Sequence, residues 1–149
     1  MKKFRYRLAS LLKIKEHRER ERQKEHAEAL QQVYDQNRRL EQIDQNRLST
    51  LNQQRGRLHG TLSLAHLQAC SRFLVKLKRD TMVGRETLRG YQAEAEKRRQ
   101  KLVQASQERQ IYEKLKEKQQ ERFVKEIEHL EKIENDEIAL QTFRLNQQR

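Results

Sequence analysis

The sequence has no proline, no tryptophan, one cysteine and only four glycines in 149 residues. Without proline, and with so little glycine, a turn-rich β sandwich is excluded and no glycine-rich phosphate loop can be built. The single Cys70 excludes an intramolecular disulfide and fits a reducing compartment. No apolar run approaches the roughly 18 residues that a membrane-spanning helix needs. The basic start, Met1 to Arg7, leads only into Leu8 to Leu12 before Lys13, which is too short for a signal-peptide core and has no cleavage site after it. A cytoplasmic protein without direct membrane insertion is expected. Apolar residues are also scarce, at 34% against a usual value of about 45–50%. A compact domain of this length cannot be filled from that composition.

What the chain has in quantity is Leu, Gln, Glu, Lys, Arg and Ala, all residues that enter a helix with little loss of freedom. Charged residues make up 38%, with 34 Lys and Arg against 22 Asp and Glu, for a net charge of +12. These features predict an all-α fold, a single elongated coiled-coil unit built from few long helices. The only cluster of breaking signals is Gly56-Arg57-Leu58-His59-Gly60-Thr61-Leu62-Ser63. Thr61 and Ser63 are good N-cap residues, so a second helix is expected from Leu64. The expected layout is helix 1 over about 5–55, a loop over about 56–63 and helix 2 over about 64–143. One short loop between two amphipathic helices implies an antiparallel hairpin. Gly84 and Gly90 fall inside helix 2, as flexible points or as places of close helix contact.

Steps of seven from Leu67 and from Cys70 trace two rows along helix 2, and fourteen of their twenty-two positions are apolar. That repeat is a coiled-coil seam, weakest between Arg109 and Gln119. Helix 1 is rougher. Leu8, Leu11 and Leu12 start a stripe, Leu30, Val33, Leu40 and Ile43 continue it, and Leu48, Leu51, Leu58 and Leu62 follow with a shift of one place. Between them Lys13 to Glu28 holds eleven charged residues in sixteen, which reads as a solvated helix held by pairs such as Glu16 with Arg20. The longer second helix should leave its last two dozen residues overhanging, or pairing with an outside partner.

The residues carry no legible reaction chemistry. Paired carboxylates lie on solvated faces, and no serine has a histidine and an acid placed to activate it. The five histidines show no zinc-ligand spacing, so no catalytic residue, metal or cofactor is expected. Cys70 reads as a small seam residue, with His66 one turn away. Charge is more informative. Residues 38–79 hold nine Lys and Arg and two acids, about +7, whereas residues 108–137 hold seven and ten, or −3. Such a basic tip suits docking on an acidic surface. Nucleic acid is not expected as that partner, because Phe73 is the only aromatic in the tip available for stacking on bases and no reading motif is present.

Three segments together carry a resemblance. The opening Phe4-Arg5-Tyr6-Arg7-Leu8-Ala9-Ser10-Leu11-Leu12-Lys13-Ile14-Lys15-Glu16, the stretch from Tyr112 to Phe123 and the ending Glu134-Asn135-Asp136-Glu137-Ile138-Ala139 are similar to the bacterial flagellar FliJ family, and length, layout and charge agree. The resemblance implies a non-enzymatic component of the flagellar type III export apparatus, serving flagellum biogenesis and motility. It implies an antiparallel coiled coil like the central stalk of rotary ATPases, joining the hexameric export ATPase to the cytoplasmic part of the membrane export gate and handling export chaperones. Such a protein would sit peripherally at the cytoplasmic face of the membrane. The corresponding stalk of a virulence-type secretion system is the first alternative that the same helices could serve, and a basic nucleic-acid-binding coiled-coil protein is a more distant one. The family's gate surface has a Phe and a Leu four residues later, matched here by Phe73 and Leu77, beside the basic Lys76, Lys78 and Arg79. The first-helix side of that surface carries tyrosines in some members, and here Gln45 and Leu48 occupy the neighbourhood. Phe73 is off the seam rows and Leu77 is on one, so core packing and partner contact are both open for Leu77.

Overall fold

A computed structural model of the chain describes residues 3–57, 60 and 63–147 and folds them into two helices, α1 (Ala9–Arg57) and α2 (Leu64–Gln147). Among the described residues there is no strand. The helices pack against each other antiparallel, giving an all-α hairpin. The Ser63 carbonyl accepts the Leu67 N–H at 3.1 Å, so Ser63 opens α2 in the N-cap position. Gly56 lies within α1, one residue before its end. Leu58, His59, Thr61 and Leu62, on which part of the loop and stripe reading rests, lie outside the described residues.

Helix 1 starts at Ala9 instead of near Arg5. The residues before it are used as packing groups. Tyr6 is buried and its hydroxyl donates to the Tyr112 carbonyl at 2.9 Å, while the Phe4 ring lies 5.6 Å from that of Phe123. The Ala9 N–H then donates to the Tyr6 carbonyl, and the helix begins.

Packing falls into two units, Arg20–Val103 and Met1–Glu19 with Gln104–Arg149. In the first, Ala29, Gln36, Thr50, Cys70, Leu77 and Ala95 are buried. In the second, Tyr6, Leu12 and Ala105 are buried. Along α2 every position of the two rows from Leu67 to Tyr112 is buried or half-buried, whereas Lys116 and Gln119 are exposed, where the seam was expected to weaken. Thr81 tolerates its seam position because its hydroxyl donates to the Leu77 carbonyl at 2.9 Å.

The seam of α1 matches the hydrophobic reading at Leu8, Leu12, Val33, Leu40 and Ile43 and departs from it elsewhere. Its covered positions are Leu8, Lys15, Arg22, Ala29, Gln36, Ile43 and Thr50 on one row, and Leu12, Glu19, His26, Val33, Leu40 and Gln54 on the other. Leu30 and Leu48, placed on the stripe by sequence, are exposed. The Lys13–Glu28 stretch is therefore not simply solvated, because part of its charge lies in the seam. Several polar side chains stand there because α2 meets them with a bare backbone or a matching group, and others, such as Arg22 and Thr50, find partners on α1 itself. Arg98 reaches across to the Glu25 carbonyl at 3.0 Å, and Gln36 donates to the Gly84 carbonyl at 3.0 Å. Gly84 is the point of close approach: a Cβ there would stand 2.7 Å from Leu40 Cδ2. Gly90 faces open space.

At its far end α2 outruns its partner. Every residue from Glu128 to Arg144 is exposed, although the helix continues to Gln147.

Candidate partner-binding surface

Among the described residues no cluster of His, Cys, Asp and Glu is placed to hold a metal ion. Cys70 is buried with its Sγ 3.4 Å from His66 Nε2, a local contact one turn apart on α2. Among the described residues no helix is long and apolar enough to cross a membrane. What the chain offers a partner is surface.

On α2 the five residues singled out from sequence divide. Phe73 stands one place before the seam residue Leu74 and is 41% exposed, a large aromatic ring outside the core. Leu77 is 4% exposed and belongs to the packing of its unit, so it presents almost nothing outward. Lys76, Lys78 and Arg79 are all exposed around it. Sequence reading missed two neighbours, Val75 and Met82, exposed by 62% and 67% and lying one heptad apart on the side of α2 away from the seam. Their signal was present as apolar residues seven apart on neither seam row. Tyr34 was also missed; it is exposed, and with Leu40, Gln45 and Arg85 it lines an open groove of about 900 Å³.

The unit holding the chain's N-terminal residues has a different character, an ion-pair cluster across the helices. Lys15 Nζ donates to Glu108 Oε2 at 2.6 Å and lies 5.9 Å from the Tyr112 ring centre, and Arg18 is 3.9 Å from the same carboxylate. Arg109 pairs with Glu113 one turn on, and its Nε lies 2.5 Å from Glu19 Oε2 in an ion pair that lacks hydrogen-bond alignment. Desolvation works against the charge on Arg109, but Glu113 and Glu19 outweigh it and raise its pKa. The hydrogen bond from Lys15, together with the charges of Lys15 and Arg18, holds the Glu108 carboxyl below the usual range. A carboxylate whose folded pKa is lowered adds stability above its unfolded pKa and loses it as pH falls through the folded value. Glu108→Gln should therefore lower the melting temperature slightly at neutral pH, with the gap from wild type closing in acid. Melting curves collected across the carboxylate range test this.

A helical hairpin with exposed aromatic, apolar and basic groups, and no converging reactive side chains among its described residues, has the make-up of an interaction protein. The chain belongs to the FliJ family: the family model described as Flagellar FliJ protein matches residues 4–148, nearly the whole chain. It is accordingly a component of the flagellar export apparatus and not an enzyme. Searches of curated proteins and of solved structures found no match.

Proposed function

We propose that the chain works as one stalk-like coiled coil that links the hexameric export ATPase to the cytoplasmic part of the membrane export gate and also handles export chaperones. In this reading it is cytoplasmic and held peripherally at the membrane through the apparatus. The observation that carries the reading is the exposure of Phe73 on a helix whose neighbouring seam residues are covered, within a segment of about +7. An exposed aromatic anchor with Lys76 one turn away and Lys78 and Arg79 exposed further along the same helix suits an acidic protein surface: the aromatic group supplies affinity and the charges steer encounter. Leu77 supports Phe73 from within the packing instead of touching the partner. Coupling between ring and gate would come from contacts that differ between subunit states of the ring.

The test is binding of the full chain to the purified cytoplasmic part of the gate, measured by surface plasmon resonance. Phe73→Ala should weaken binding by about 30-fold, the size of one interface anchor of about 2 kcal/mol, with the melting temperature nearly unchanged. Replacing Lys76, Lys78 and Arg79 by Ala should instead slow association and flatten its salt dependence. Intact affinity in Phe73→Ala would remove this surface from the gate contact.

A further inference from the structure

The end of α2 is half of a coiled coil. The seam rows run on past the last partly covered residues, Phe123 and Ile127, to Leu130, Ile133 and Leu140, which are 45%, 42% and 58% exposed. Phe143 stands beside them and is 60% exposed. The helix nevertheless persists to Gln147. Its charge is equally uneven. Residues 126–143 hold six acids and one Lys or Arg, for −5, in a chain of net charge +12. Glu126 and Glu137 lie on the rows, and Glu134 and Asp136 lie beside them. The one cation, Lys132, follows Leu130 by two residues, about 200° around the helix and so on its far side. From Ile127 to Phe143 the apolar stripe is thus bordered by carboxylates without a Lys or Arg on the same face, and Arg144 follows it on the row from Leu67.

That charge selects the occupant. A second copy laid on the same stripe would set carboxylates against carboxylates, which is destabilising. Anionic lipid would be repelled in the same way. A partner helix with its own apolar stripe and flanking Lys or Arg would continue the seam and neutralise the acids. We propose that α2 from Ile127 to Phe143 is a docking surface for a basic amphipathic helix of another protein, an interaction distinct from the Phe73 surface and independent of the partners named for it. The stripe spans about 24 Å at 1.5 Å per residue, room for two to three heptads.

The probe is a fluorescein-labelled synthetic peptide of three heptads with Leu at the seam positions and Lys at the flanking positions, titrated with the full-length protein and followed by anisotropy. A companion peptide carries Glu at the flanks. The Lys peptide should bind at least tenfold more tightly than the Glu peptide. Leu130→Gln, Ile133→Gln and Leu140→Gln combined should weaken it at least tenfold while leaving circular dichroism unchanged, since Gln is a good helix former at exposed positions. Glu134→Lys with Asp136→Lys should shift preference toward the Glu peptide. Equal binding of the two peptides, or undiminished binding by the triple variant, would overturn the proposal. So would concentration-dependent self-association in sedimentation equilibrium that the triple variant abolishes, which would assign the face to a second copy.

Discussion

Leu77→Ala is expected to cost about 3 kcal/mol of stability and to lower the melting temperature by about 6–12 °C. Among the described leucines of α2 only Leu77 is buried, and its unit is otherwise centred on alanines, Cys70, Gln36 and Thr50. Deleting three carbon atoms there removes a large share of what little apolar contact that unit has. A narrow seam can close partly over the gap, which keeps the cost below the upper end of the range for buried leucines. Leu74→Ala, at a half-buried position, should cost less, and Gln92→Ala, at an exposed one, almost nothing. Urea unfolding followed at 222 nm separates the three. Equal losses at all three sites would contradict the placement of the seam. The same experiment bears on partner binding, because a loss of gate affinity in Leu77→Ala should follow the fraction unfolded, whereas in Phe73→Ala it should not.

The two glycines inside α2 should respond in opposite directions to larger side chains. Gly90→Ala is expected to stabilise by about 1 kcal/mol, since its added methyl meets nothing and a helical glycine is unfavourable by that amount. Gly84→Leu gains the same propensity but must place a branched side chain where a Cβ alone would come 2.7 Å from Leu40 Cδ2 and 3.2 Å from Gln36 Nε2. Overpacking of this kind costs about 3 kcal/mol, so a net loss of about 2 kcal/mol is expected. It should also disturb the buried bond from Gln36 to the Gly84 carbonyl. Denaturation midpoints for the two variants on either side of wild type would establish that helix contact, not flexibility, keeps glycine at position 84.

The seam of α2 was legible because its apolar residues recur every seven places, and Leu67, Leu74, Leu88 and Leu102 are covered as that repeat requires. The α1 seam was legible only in part by the same signal, which marks Leu8, Leu12, Val33, Leu40 and Ile43 but not the seam's polar positions. Lys15, Glu19, Gln36 and Thr50 are among those, and each is made tolerable by something outside α1 or by its own backbone: Glu108, Arg109, the Gly84 carbonyl and the Asn46 carbonyl. Apolar periodicity cannot register a position whose partner is a charge or a bare backbone. The eye therefore moves to Leu30 and Leu48, which face outward. Tyr6 escaped for a related reason, as a packing residue that precedes the helix it helps to position. For the partner-binding surface, sequence singled out Phe73 and its basic neighbours, but only burial could assign Leu77 to the interior.

The Gln36–Gly84 contact also decides how the two helices line up. Sliding α1 by one heptad would bring Gln36 opposite Leu77 or Tyr91, where a full side chain would occupy the space in which Gln36 and Leu40 now close on bare backbone. One register is thereby written near the middle of the hairpin. Within Arg20–Val103 the alignment of the two helices is thus set by a contact between the helices themselves.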